Sequence, residues 1–162
     1  MRILDTIQGQ PIIETDDRDR VLFIANADVD CDGSGGNPDH DPDFQPDTSL
    51  HFEGRALNPY KERYIVVPPA VVLKTRGTIL GCFAQVTNLR TGVVVTAVVG
   101  DLGPTRKIGE VSVACAKALG LNPSPIDGGT DAMIIGYEIF PSESANIDGI
   151  SYDLQPYRGG DA

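Results

Sequence analysis

Short runs rich in Val, Ile and aromatic residues, each bounded by Gly, Pro, Asn or Asp, recur along this chain, and only one segment carries a helical period. The runs are Arg20 to Ala27 (RVLFIANA), Arg63 to Val67 (RYIVV), Thr78 to Thr87 (TILGCFAQVT), Val93 to Val99 (VVVTAVV) and Ala132 to Phe140 (AMIIGYEIF). Asn88 to Gly92 (NLRTG) is a polar loop of hairpin length, so the strands on either side of it are expected to pair antiparallel. From Val111 to Leu119 (VSVACAKAL), Val111, Ala114, Cys115, Ala118 and Leu119 recur at helical spacing, and Gly120 supplies a left-handed stop. Several strands and one short helix predict a mainly β fold, a closed or nearly closed barrel rather than alternating βαβ units. With no repeat or dividing linker, residues 1–162 read as a single domain, and the polar tail after Pro141 reads as a segment draped over the barrel.

A chain of 162 residues can bury a core without disulfide or metal staples. Acidic residues number 23 against 13 Lys plus Arg, which gives a formal net charge of −10 and argues against binding to nucleic acid phosphates. Residues 1–53 hold 13 of the acids and only 3 Arg, so the whole excess lies in the first third. Seven aspartates (Asp28, Asp30, Asp32, Asp39, Asp41, Asp43 and Asp47) fall in a stretch with no Lys or Arg. Such a run is either a solvated loop or a surface for cations.

The chemistry concentrates in Val98 to Gly120, VVGDLGPTRKIGEVSVACAKALG. An apolar strand ends at Gly100 and Asp101 follows at once; a Gly-Pro turn, Arg106, Lys107, Gly109 and Glu110 then lead into the helix. Asp101 is expected to be partly desolvated where the strand emerges, which raises a carboxyl pKa. Glu110 is expected at a helix N-terminus, where the dipole favours the ionised form. Two carboxyl groups pushed toward opposite protonation states suit an acid and a base.

The segment GDLGPTRKIGEVSVACAKALG resembles the motif of the fungal-type chitosanases, glycoside hydrolase family 75, in which an Asp after Gly and a Glu in a K-I-G-E-x-S context form the essential pair. DCDG (Asp30 to Gly33) after an apolar strand, and YIVVP (Tyr64 to Pro68) after Asn58-Pro59-Tyr60, fall in the order that family shows, and the likeness runs from about Val21 to Phe140. The G-D-x-G-P segment is also similar to the double-psi β-barrels of expansins, rare-lipoprotein-A-type proteins and MltA-type lytic transglycosylases. The resemblance therefore implies a six-stranded double-psi barrel with one short helix after the GDxGP segment. It implies an endo-chitosanase that cleaves β-1,4 bonds between glucosamine units by inversion, with no metal or organic cofactor. Asp101 and Glu110 become the catalytic carboxylates, expected ~6.5 to 9.5 Å apart, with Asp101 preferred as general acid and Glu110 as base. A peptidoglycan-directed lytic transglycosylase or muramidase using Asp101 is an alternative, as is a non-catalytic glycan-binding barrel.

Asp30, Asp32 and Lys107 are the expected substrate contacts, because aspartates lining a groove would pair with the ammonium groups of chitosan or a related cationic polysaccharide. Asp28, Asp30, Asp32 and Gly33 also begin like a calcium loop, D-x-D-x-D-G, with Asp39 at its twelfth position, but the stretch before them reads as strand. The chain has no Trp, so sugar binding through carboxylates fits better than ring stacking; Phe44, Tyr60 and Tyr64 are the available platforms. Neither His40 nor His51 has an evident partner. Cys31, Cys82 and Cys115 match no zinc or CxxC spacing and read as packed thiols. No run approaches a membrane span and the start lacks a secretory h-region, whereas the resemblance implies secretion; a monomer is expected.

Overall fold

Gln8 and Gly9, both in the left-handed region (φ 54° and 75°), close a two-residue turn between β1 (Arg2–Ile7) and β2 (Gln10–Glu14) in the computed structural model, which describes residues 1–157. The remaining strands are β3 (Val21–Asp30), the short pair β4 (His51–Phe52) and β5 (Arg55–Ala56), β6 (Tyr64–Val67), β7 (Cys82–Asn88), β8 (Val94–Leu102) and β9 (Glu110–Ser112). They are followed by β10 (Thr130–Ser144) and the small pair β11 (Asn146–Ile147) and β12 (Ile150–Ser151). Two short helices interrupt them, α1 (Pro69–Lys74) and α2 (Val113–Ala118).

The main sheet runs β1-β2-β3-β10-β7-β8-β6-β9, and a further β3–β9 pairing joins its ends, so β3, β10, β7, β8, β6 and β9 form a closed six-stranded barrel with the β1–β2 hairpin appended. The expected closed, mainly β barrel is therefore present. The β3–β9 and β6–β8 pairings are parallel, whereas β6–β9, β7–β8 and both neighbours of β10 are antiparallel. The hairpin expected around Asn88–Gly92 joins β7 and β8, with Gly92 at φ 81° donating its N–H to the Asn88 carbonyl at 2.7 Å. Inward-facing Val86, Ala97, Val99, Ile65, Ile135 and Ile139 fill the core, with Phe23 stacked on Tyr137 at 4.8 Å between centroids.

Two differences from the sequence reading bear on the site. The helix expected from Val111 begins only at Val113: Ser112 is its N-cap, accepting the Cys115 N–H at 3.2 Å, while Ser112 Oγ also receives the Tyr64 N–H and donates to the Glu62 carbonyl. Glu110 therefore lies in strand β9 and not in a first helical turn. A second helix, α1, forms after Pro68 with Pro69 in its first turn, a position where a missing N–H costs nothing. The tail after Pro141 is more ordered than its composition suggests, since β10 runs on to Ser144 and Tyr152 is buried; residues 158–162 of that tail lie outside the described residues. Among the described residues no helix is long and apolar enough to cross a membrane.

Candidate active site

Strand register brings the two motif carboxylates together. Val66 of β6 is paired with Asp101 of β8 on one side and with Glu110 of β9 on the other, and Glu110 is in turn paired with Asp28 of β3. Directly paired residues share a face, so Asp101, Val66, Glu110 and Asp28 form one row across the sheet, and Asp30 joins that face two residues beyond Asp28. The row depends on a bulge. Ile65 pairs with Val99 but Val66 pairs with Asp101, so Gly100 is an extra residue that turns Asp101 onto the face of Glu110. A side chain at residue 100 would not fit, since a Cβ there would come within 2.6 Å of Leu57 Cδ1 and 2.8 Å of Tyr64 Cβ.

The row opens into a cleft of about 660 Å³. Among the described residues nine carboxylates line it (Asp28, Asp30, Asp32, Asp41, Asp43, Asp101, Glu110, Asp127 and Asp131), with Lys107 the one cationic side chain. Five of the seven aspartates in the acidic run thus face the cleft. Asp39 instead accepts the Tyr60 hydroxyl at 2.7 Å, and Asp47 pairs with His51 at 2.7 Å, so His51 has the partner its sequence context did not reveal. Asp127 and Asp131 have no local signature; Asp127 arrives on the loop leading into β10 and Asp131 at the start of that strand, which pairs with β3 at Thr130 and Ala27. The lining contains no aromatic residue, and Tyr64, read as a possible platform, is fully buried with its hydroxyl donated to the Asp32 carbonyl at 2.6 Å.

Asp101 is only 8% exposed. Burial raises its pKa to about 6, with the Asp32 charge adding to the rise and hydrogen bonds from Ser49 and the Leu102 N–H working against it. Glu110 is 15% exposed and is held by Lys107, whose Nζ lies 2.8 Å from Glu110 Oε1 and 2.9 Å from Asp28 Oδ2. Partial burial opposes the charge on Lys107, but the bonds to Glu110 and Asp28 outweigh it and push the ammonium pKa up. The neutralising partner of Glu110 is thus a lysine three residues upstream, in place of the expected helix dipole, and Lys107 is engaged by these two carboxylates.

Asp30, Asp32 and Asp101 bring carboxyl oxygens within 4.8 Å of one another. Burial, then the charges of Asp32, Asp101 and Glu110, push Asp30 up to about 8, against the hydrogen bond it accepts from the Asp32 N–H at 2.7 Å. Asp32 is raised as well, by burial and by Asp41 and Glu110, although it accepts the Gln45 N–H at 2.8 Å. Protons held on this cluster relieve the repulsion among carboxyls brought so close. The spacing that resembled a calcium loop does not fold around one centre, because Asp28 is committed to Lys107 and Asp39 to Tyr60. All three cysteines are buried and unpaired; the Cys31 thiol lies 3.4 Å from Asp41 Oδ2.

A closed barrel with a cleft walled by carboxylates has the groups that glycoside hydrolysis requires. The chain belongs to glycosyl hydrolase group 75: the family model described as fungal chitosanase of that group matches residues 27–153, from inside β3 to just past β12, and so takes in every carboxylate that lines the cleft. It is accordingly a glycoside hydrolase of a family whose substrate is chitosan. No curated protein matches the chain.

Proposed function

We propose that the protein is an endo-acting chitosanase that hydrolyses β-1,4 bonds between glucosamine units with inversion, Asp101 serving as general acid and Glu110 as general base. The observation that carries this reading is the pairing of both residues to Val66. Two strand spacings separate their backbones, about 10 Å, and that leaves room for a sugar ring and a water between the carboxyl groups. A covalent, retaining route needs the shorter gap of about 5 Å.

Their environments support the division of roles. Asp101, with its pKa at about 6, keeps a proton on a substantial fraction of molecules in mildly acidic solution and can pass it to the departing glycosidic oxygen. Glu110, ion-paired to Lys107, is suited to take a proton from the water that attacks the anomeric carbon. The aspartates toward the cleft mouth, Asp41, Asp43, Asp127 and Asp131, together with Asp30 and Asp32, are suited to ammonium groups along the chain. Asp101→Asn and Glu110→Gln should each lower chitosan hydrolysis by a factor of about 10² to 10⁴ while leaving the circular dichroism spectrum unchanged. Full activity in either variant refutes the assignment.

A further inference from the structure

Among the described residues, every hydrogen bond donated to Asp101 ends on the same oxygen. Oδ1 accepts the Ser49 N–H at 3.0 Å, the Ser49 hydroxyl at 2.9 Å and the Leu102 N–H at 2.9 Å. An oxygen facing three donors has no lone pair free to carry a proton of its own and is the natural seat of negative charge. We infer that Ser49 is a positioning residue that commits Asp101 Oδ1 to acceptance and so directs the acid's proton to Oδ2. This inference rests on the reading of Asp101 as one of the two reacting carboxyls.

Ser49 is itself held from several sides. Its carbonyl accepts Gln155 Nε2 at 2.8 Å, and Gln155 Oε1 accepts the His51 N–H at 3.2 Å, so a residue 106 positions away braces the segment. On the flanks, Thr48 Oγ1 donates to the Leu50 carbonyl at 2.7 Å and accepts the Leu57 N–H, while the Leu50 N–H reaches the carbonyl of the bulge residue Gly100 at 3.0 Å. Residues 48–50 thus bracket Gly100, Asp101 and Leu102, fixing both the bulge and the carboxyl that it aims. The same donors satisfy Oδ1 whether Asp101 is protonated or ionised. When the Oδ2 proton moves to the glycosidic oxygen, the C–O bond breaks with its electron pair staying on that oxygen. Water attacking the anomeric carbon gives its proton to Glu110, and the new charge on Asp101 meets hydrogen bonds already in place, with no rearrangement.

The test compares Ser49→Ala and Ser49→Thr with the parent protein on chitosan oligomers, measuring kcat, KM and the pH profile of kcat/KM. The groups facing Asp101 are Asp30 of β3, Asp32 just beyond it, Glu110 of β9, Lys107 before β9 and the Tyr64 hydroxyl of β6; neither variant alters them. Losing the hydroxyl disfavours the ionised carboxyl, so Ser49→Ala should move the alkaline limb to higher pH and cut kcat about tenfold with KM little changed. Ser49→Thr, which restores a hydroxyl, should return the limb toward its original place. Gln155→Ala, which loosens the brace without touching Asp101, should give a smaller shift of the same sign and keeps the test open if Ser49→Ala folds poorly. Unmoved limbs in folded variants, or a change in KM alone, overturn the role of Ser49. Movement of the acid limb instead retains Ser49's hold on Asp101 but overturns the assignment of Asp101 as the acid.

Discussion

Replacing Asp101 with Asn should remove a built-in, pH-dependent cost to stability. The carboxyl is 8% exposed, and its pKa in the folded protein is about 6 against an ordinary value of 3.8. A folded pKa raised in this way means that the native state binds the proton more tightly than the unfolded chain. Stability through this group is therefore greatest below about 3.8 and declines as pH rises through the folded value. The difference corresponds to about 3 kcal/mol once Asp101 is ionised in both states. Asparagine stays neutral, and its carbonyl oxygen can still accept from the Ser49 N–H, the Ser49 hydroxyl and the Leu102 N–H, so the packing cost is small. Urea denaturation at intervals between about pH 4 and pH 8 would measure the effect. Asp101→Asn should gain on the parent protein across that range, reaching about 3 kcal/mol at the alkaline end, while losing its activity. A difference that stays constant with pH, or that favours the parent as pH rises, refutes the claim that burial holds the proton on Asp101.

Asp30→Asn should likewise stabilise the protein increasingly from about pH 4 upward and fully above about pH 8, because the folded carboxyl is raised to about 8 and its ionised form is the costly one; denaturation at about pH 5 and pH 9 checks this. Gly100→Ala forces a methyl group against Leu57 and Tyr64 and should cost about 1 to 3 kcal/mol, with kcat falling further than stability alone explains as Asp101 is turned off its row. Raising salt should increase KM for chitosan with little effect on kcat, since the acidic cleft gathers a polycation over distances that salt screens; equal losses in both would reduce the outer aspartates to a solvated surface. Calcium titration by calorimetry near neutral pH should give no stoichiometric binding heat, because Asp28 and Asp39 already have partners in Lys107 and Tyr60 and the crowded Asp30 carboxyl, raised to about 8, retains its proton.

What the sequence disclosed followed the range of the interactions involved. The five longer apolar runs announced β3, β6, β7, β8 and β10 because alternation and β-branching are local signals. The β1–β2 hairpin gives a weak local signal, its Gln8-Gly9 turn lacking the usual Asn or Asp, and β9 gives none because the three residues Glu110–Ser112 are too few to show a period. With no period to mark β9, the helical spacing that follows extends back over Glu110, whereas in the fold Glu110 lies on a strand and shares Val66 as a pairing partner with Asp101. The acidic run was legible as charge, but which aspartates face the cleft is decided by the β3–β9 closure and by side-chain partners such as Tyr60 and His51. Ser49, Asp127 and Asp131 carry no motif at all; only tertiary closure, against the Gly100 bulge and alongside β3, brings them to the site.

The most direct trial of the account is to follow the first products released from chitosan, with chitin and purified peptidoglycan in parallel, by mass and by NMR of the anomeric proton. Hydrolysis with Asp101 as acid and Glu110 as base on opposite faces of the sugar should release glucosamine oligomers of several lengths from chitosan, each initially the α-anomer. Initial β-anomers, or anhydro-muropeptides from peptidoglycan with chitosan left intact, would contradict it.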